Sequence, residues 1–337
     1  MSKYLGEHVD PWPMFEVIER WKKECLEQDG SFFFDDKKLW TAKNFQELGK
    51  FYSCHLIYEP QNDSSNPGET QYFLKLKKQF RSAPRDAKLL MAELDWLMKF
   101  PNTSNCDHAR QEQAMRNKRE RAAAILDWAW NGCVVGAVQE RLDYSYSVFS
   151  RGLANLSRNQ SNHWREMVCA IEFFLSFKQA KPADREALLD DSERLVKFCD
   201  EAMLAVGHKH SRNLGIAQKP NPVFRKLIAY MLFPDEKERV FVHGKRKKIL
   251  TKFCGSASNI PTKQDEALAK LRENLQERHD PEKIDWFETK AICEHWDSDW
   301  WEQNRAGKDM GGPPEYELPP WPPVTPTKDA RALKKPK

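Results

Sequence analysis

Apolar residues recur along this chain mainly at the three- and four-residue spacing of helices. Met14, Val17, Ile18, Trp21 and Cys25 fall on one face, behind a cap at Asp10 and a proline at the first helical position, Pro11, and Gly30 ends the run. Residues 31–60 mix aromatic and polar side chains without that period, which predicts short strands or irregular structure, and Asn62 to Thr70 reads as a loop. Beyond it, Ser82 is placed to cap a helix with Pro84 in its first turn. Leu90, Met91, Leu94, Leu97 and Met98 form its core stripe, and Pro101 closes it. A further helix is predicted from Lys118 to Val135, with Ala124, Ile125, Trp128 and Val135 along one side.

The same spacing continues downstream. Ser161-Asn162-His163 starts a helix carrying Met167, Ile171, Phe174 and Leu175. Lys181-Pro182-Ala183-Asp184 begins another that runs towards Leu204. Pro222 starts a helix from Phe224 to Phe233, which Pro234 terminates. Glu238 to Val242 has the β-branched and aromatic character of a short strand. Thr262 followed by Asp265 resembles a capped start to the helix containing Leu268, Leu271 and Leu275. From Gly311 onward seven prolines between Pro313 and Pro326 exclude regular helix or central strand, and Lys334, Lys335 and Lys337 close the sequence. The expected fold is therefore mainly α with a few short strands (α+β), a multi-helical globular module with a Pro-rich C-terminal tail. The expected organisation is an N-terminal helical lobe over 1–105, a second, mainly helical lobe over 106–305, either separate from the first or continuous with it, and a Pro-rich flexible tail over 306–337.

Composition narrows the class. The 337 residues are 40% hydrophobic, 12% aromatic and 31% charged, enough for a packed core in one large domain or two ordinary ones. No run approaches 18 consecutive apolar residues and the first 30 lack the zones of a signal peptide, so the expected location is cytoplasmic, with no membrane partner. Eight cysteines lie singly, at Cys25, Cys54, Cys106, Cys133, Cys169, Cys199, Cys254 and Cys293, with no Cys-x-x-Cys pair. The expectation is reduced, partly buried thiols and no metal site, although Cys106/His108, Cys293/His295 and His208/His210 are short pairs of ligand type.

Four motifs occur in order: Asp29-Gly30-Ser31-Phe32-Phe33 running on to Leu39-Trp40-Thr41; Phe73 to Phe80 leading to Ala92-Glu93-Leu94-Asp95-Trp96 and Phe100-Pro101; Met231-Leu232-Phe233-Pro234-Asp235-Glu236; and Asp265-Glu266-Ala267-Leu268 before Asp285-Trp286-Phe287. In this order and spacing, over roughly residues 29 to 301, the chain resembles the N-terminal region of bacterial McrB-like AAA+ restriction proteins. In that family the region precedes a nucleotide-hydrolysing motor. The resemblance implies a motor and a nuclease supplied by other chains, and it transfers neither a catalytic residue nor methylcytosine recognition to this one.

The sequence offers no credible catalytic constellation of its own. A Walker A loop needs Gly-x-x-x-x-Gly-Lys and then Ser or Thr, so that backbone N–H groups cradle phosphates; neither Gly311-Gly312 nor Gly244-Lys245-Arg246 meets that pattern. The acidic pairs Asp190-Asp191, Asp200-Glu201 and Asp265-Glu266 lie in segments that read as helices. Asp297, Asp299 and Glu302 sit among Trp296, Trp300 and Trp301, as a pocket rim or as the polar flank of packed tryptophans. No Gly-x-Ser-x-Gly elbow is present. The expectation is a protein without enzymatic activity and without a cofactor.

Two basic clusters carry the binding hypothesis. Lys245, Arg246, Lys247, Lys248 and Lys252 follow the predicted strand, and such density neutralises several phosphates and releases their counterions. Arg116, Lys118 and Arg119 form the second cluster. Each cluster also has the plainer reading of a solvated surface. Trp300 and Trp301 are candidates for stacking on bases. The expected function is a non-catalytic DNA- or signal-sensing adaptor of a bacterial restriction or anti-phage defence system, with DNA and AAA+ motor and nuclease subunits as partners. The alternatives are the N-terminal part of a McrB-like restriction protein, or a structural module for protein interaction.

Overall fold

The structure, a computed structural model, describes residues 12–52, 76–98, 122–127, 129, 138, 160–214, 222–254, 264–276, 280, 282, 284–287 and 289–304. Among these residues helix predominates and no strand occurs. The mainly helical class holds; the expected short strands do not.

The first apolar face behaves as its spacing predicts. Helix α1 (Trp12–Trp21) buries Met14, Val17, Ile18 and Trp21, then widens into a π-helix over Lys22–Glu27 that buries Cys25 and Leu26. The wide turn leaves carbonyls without their usual helical partners. Lys178 reaches in to supply them, its Nζ donating to Cys25 O at 2.6 Å, Leu26 O at 2.8 Å and the Asp29 carboxylate at 2.5 Å. Burial lowers Lys178 to about 8 against the opposing pull of Asp29. Asp29 stands at φ 57°, a left-handed conformation that Asp tolerates better than most residues, and Arg185 also donates to it at 2.8 Å. Gly30 follows because its N–H approaches Glu24 O at 2.7 Å, where an added Cβ would itself lie 2.7 Å from that oxygen.

Residues 31–41 are irregular, as expected, but 42–52 are not: α2 (Ala42–Tyr52) is a helix, and 53–60 lie outside the described residues. Thr41 starts it, accepting the N–H of Asn44 at 3.3 Å, and Phe45, Leu48 and Tyr52 give it a buried face. Helix α3 (Arg85–Leu97) begins after Pro84 with no side-chain cap, so the expected Ser82 cap is corrected: Pro84 itself, with φ −54° and ψ 149°, turns the chain into the helix. Leu90, Met91, Leu94, Leu97 and Met98 are buried as predicted, but so are Leu89, Ala92, Glu93, Asp95 and Trp96, so α3 is enclosed on nearly all sides. Of the helix expected from Lys118 to Val135, the described part at 122–127 is helical with Ile125 buried.

Helix α4 (Gln160–Gln179) lies across α2 and supplies Met167, Ile171, Phe173, Phe174 and Phe177 to the core. Its Phe174 ring meets the edge of Trp40 at 4.9 Å and stacks on Phe45 at 5.4 Å, while Trp21 and Trp40 meet edge-on at 5.5 Å. The single helix expected from Pro182 towards Leu204 is two. Helix α5 (Pro182–Asp190) ends at Asp191, whose carboxylate takes the N–H groups of Glu193 at 2.9 Å and Arg194 at 3.0 Å and so caps α6 (Ser192–Leu214). Helix α7 (Val223–Leu232) starts after Pro222 as predicted. Its first N–H groups, of Val223 and Phe224, donate to the buried Glu166 carboxylate of α4 at 2.8 and 2.7 Å.

The expected strand at Glu238–Val242 is instead a linking segment without a ladder, bent at Arg239. Side chains take the place of a neighbouring strand: Arg246 donates to Val240 O and Lys226 donates to Phe241 O at 3.3 Å. Three helices complete the described chain: α8 (His243–Cys254), α9 (Gln264–Gln276) and α10 (Lys290–Asn304). Helix α8 packs against α9 and α10, and α7 packs on α6, α4 and α1. Buried apolar side chains from all these regions belong to one hydrophobic cluster. The Pro-rich tail lies outside the described residues.

Candidate nucleic-acid interface

Residues of several motifs meet in two buried polar clusters, Ser31, Trp40 and Glu93 in the first and Asp285 and Trp286 in the second, and the second of these borders the basic segment. In the first, the Glu93 carboxylate of α3 accepts from the Ser31 hydroxyl, from the backbone N–H groups of Phe32 at 3.1 Å and Phe33 at 3.2 Å, and from Trp40 Nε1 at 2.5 Å. Burial pushes the Glu93 pKa upward, and these hydrogen bonds oppose it. The Phe32 ring stacks on Trp96 at 4.4 Å, one helical turn from Glu93. The two halves of this site come from motifs more than 50 residues apart in sequence.

The second cluster joins the linking segment after α7 to the end of the described chain. Arg239 and Asp285 are fully enclosed and pair at 2.6 Å, with a second contact from Arg239 Nε at 3.1 Å. Arg272 of α9 grips Glu238 through two nitrogens at 2.6 and 2.7 Å, and also donates to Ile284 O at 2.6 Å. Trp286 Nε1 donates to Glu238 at 2.8 Å, and Trp296 Nε1 of α10 donates to Trp286 O at 2.7 Å. Buried charges are tolerated when paired in this way, and deleting one partner is costly.

Helix α8 is anchored to this frame, and its cations divide accordingly. Arg246 is only 2% exposed; it donates to Val240 O and pairs with Asp265 at the start of α9. Burial alone would raise Asp265, but Arg246, with Arg225 and Lys226 behind it, outweighs that and holds the carboxyl below its ordinary value. Arg246 is thus removed from the expected set of phosphate contacts: its guanidinium is committed to holding α8 on α9 and on the linking segment. Lys245 is half-buried, its Nζ 4.9 Å from the centre of the Phe287 ring, and burial lowers it to about 8. Lys247, Lys248 and Lys252 are exposed. Lys248 also meets Asp297 of α10 at 2.6 Å and lies 5.7 Å from the Trp296 ring.

The remaining candidates are placed as follows. Arg116, Lys118 and Arg119 lie outside the described residues, as do the side chains of Trp300, Trp301 and Glu302. Asp191 caps α6, Asp200 pairs with Arg225 at 2.5 Å, and Asp297 holds Lys248. Among the described residues no group of three or more His, Cys, Asp or Glu is placed to hold a metal ion. Cys25, Cys169, Cys199 and Cys293 are buried free thiols, and the His295 ring packs at 4.5 Å on Phe253. Cys106 and His108 lie outside the described residues. No described helix is long and apolar enough to cross a membrane.

The arrangement offers exposed ammonium groups on the outer face of a helix whose inner face is held by the buried Arg246, through the Val240 carbonyl and Asp265. Such a surface neutralises neighbouring phosphates without reading bases. Set against protein-family models, curated proteins and solved structures, the chain matches none of them.

Proposed function

We propose that this chain is a non-catalytic DNA- or signal-sensing adaptor of a bacterial restriction or anti-phage defence system, working with a separate AAA+ motor and nuclease. The exposed face of α8, with Lys247, Lys248 and Lys252, meets the phosphate backbone. The observation that supports this reading is the division of labour within the basic segment. One cation, Arg246, is buried as an anchor, while three others on the same helix are presented outward. Of the motifs that carry the resemblance to McrB-like proteins, Ser31 to Phe33, Trp40 and Glu93 are engaged in the first internal cluster and Asp285 and Trp286 in the second, which suits a scaffold that positions a binding surface.

The test is a salt titration of binding to mixed-sequence duplex DNA. Wild-type affinity is expected to fall with a log–log slope of roughly −0.9 per phosphate neutralised. Replacing Lys247, Lys248 and Lys252 together by alanine is expected to weaken binding to all sequences alike and to flatten that slope. The fold is retained, because exposed charges each contribute within about 0.5 kcal/mol. Arg246→Ala is expected instead to destabilise the protein by about 1–3 kcal/mol, since it leaves the Val240 carbonyl without its donor and takes one of the cations from the part-exposed Asp265, which keeps Arg225. Unchanged affinity and slope in the folded triple variant would favour the structural-module reading.

A further inference from the structure

Lys245, Lys248 and Lys252 stand at i, i+3 and i+7 of α8, which aligns them in one stripe along the helix. The first two do not face open solvent alone. Asp297 lies against Lys248 at 2.6 Å, and its charge also supports the protonated form of Lys245, which burial otherwise disfavours. Aromatic rings back both ammonium groups, Phe287 behind Lys245 at 4.9 Å and Trp296 behind Lys248 at 5.7 Å. The Asp297 side chain is 16% exposed against 47% for Lys248, so the carboxylate sits beneath the lysine and the lysine opens outward. Asp297 is also the residue at which α10 leaves helical geometry, with φ −152° and ψ 66°. The break therefore sets the direction of this carboxylate.

We propose that Asp297 is an internal phosphate mimic: it fills the place at Lys248 that a backbone phosphate of DNA takes, and binding exchanges one anion for the other. This rests on the reading that α8 meets phosphates. It makes the contact autoinhibitory, since Lys248 leaves one partner to gain another.

Four single variants and one double variant decide it, each measured by salt-dependent binding to the same duplex after thermal unfolding shows it folded. Asp297→Asn is expected to tighten binding roughly two- to fivefold, the range for releasing a partly exposed ion pair. Its salt slope is expected to steepen by up to about 0.9, as one further counterion is released. Asp299→Asn removes the same charge from an exposed position two residues away and is expected to give less. The gain is expected to vanish when Lys248→Gln is already present. In the wild-type background, Lys248→Gln is expected to weaken binding less than Lys252→Gln does, because Lys248 starts out compensated; this arm stands even where Asp297→Asn does not fold. Equal losses from the two lysine variants, an equal gain from Asp299→Asn, or a gain that survives Lys248→Gln would overturn the exchange while leaving the DNA reading in place. Absence of duplex binding by the wild-type protein would overturn both.

Discussion

At the scale of single residues, one fully buried carboxylate organises chain segments distant in sequence. Glu93 gathers a hydroxyl, two backbone N–H groups and an indole N–H. Glu93→Ala leaves all of these donors buried without an acceptor and is expected to cost about 3–5 kcal/mol in urea unfolding. Glu93→Gln keeps one acceptor oxygen and the shape and is expected to cost less than half as much; equal losses would mean that shape, and not acceptance, matters at this position. Glu93 stands within the Ala92 to Trp96 motif, but helical periodicity alone does not mark it as buried, because periodicity scores apolar positions and passes over a charged one. The available signal was that apolar residues surround it on every side of the helix: Leu89, Ala92, Leu94, Trp96 and Leu97 leave no polar face.

At the scale of elements, α1, α3, α4 and α7 were legible because each carries a regular apolar stripe, with a proline or glycine near a boundary of α1, α3 and α7 and Ser161-Asn162-His163 at the start of α4. Helix α2 was not, since its three core positions Phe45, Leu48 and Tyr52 stand next to the irregular aromatic run that ends at Trp40. Val240 and Phe241 suggested a strand, but the carbonyls of this segment are taken by Arg246 and Lys226, so local propensity was overridden by tertiary hydrogen bonds. The α4–α7 junction gives a pH prediction. Burial raises Glu166 from its ordinary 4.5 to about 7, against the pull of the Phe224 and Val223 N–H groups and of Lys226, with the Cys169 thiol beside it. Between those two values the native state holds a proton that the unfolded chain has lost. Stability is therefore expected to fall as pH rises from about 4.5 to 7, by on the order of 3 kcal/mol from this group. Glu166→Gln is expected to remove that component of the slope in urea titrations across this range; an unaltered slope would assign it elsewhere.

At the scale of the whole molecule, the packing of α2 on α4 joins residues from either side of position 105, and the buried side chains of both regions form one cluster. A fragment of residues 1–105 exposes the α2 face that covers Phe174 and Ile171. It is expected to lack a cooperative unfolding transition and dispersed amide resonances; a folded fragment would establish an independent N-terminal unit. The internal clusters also bear on descent. Because Glu238 is gripped by Arg272 and Trp286, and Arg239 by Asp285, no member of these sets is free to change alone. In any lineage that keeps this architecture, the acid and its partners are inherited or replaced together. A chain that retained Asp285 but lost Arg239 would have had to find another cation for it, so these pairs, more than any isolated motif, would mark true kinship.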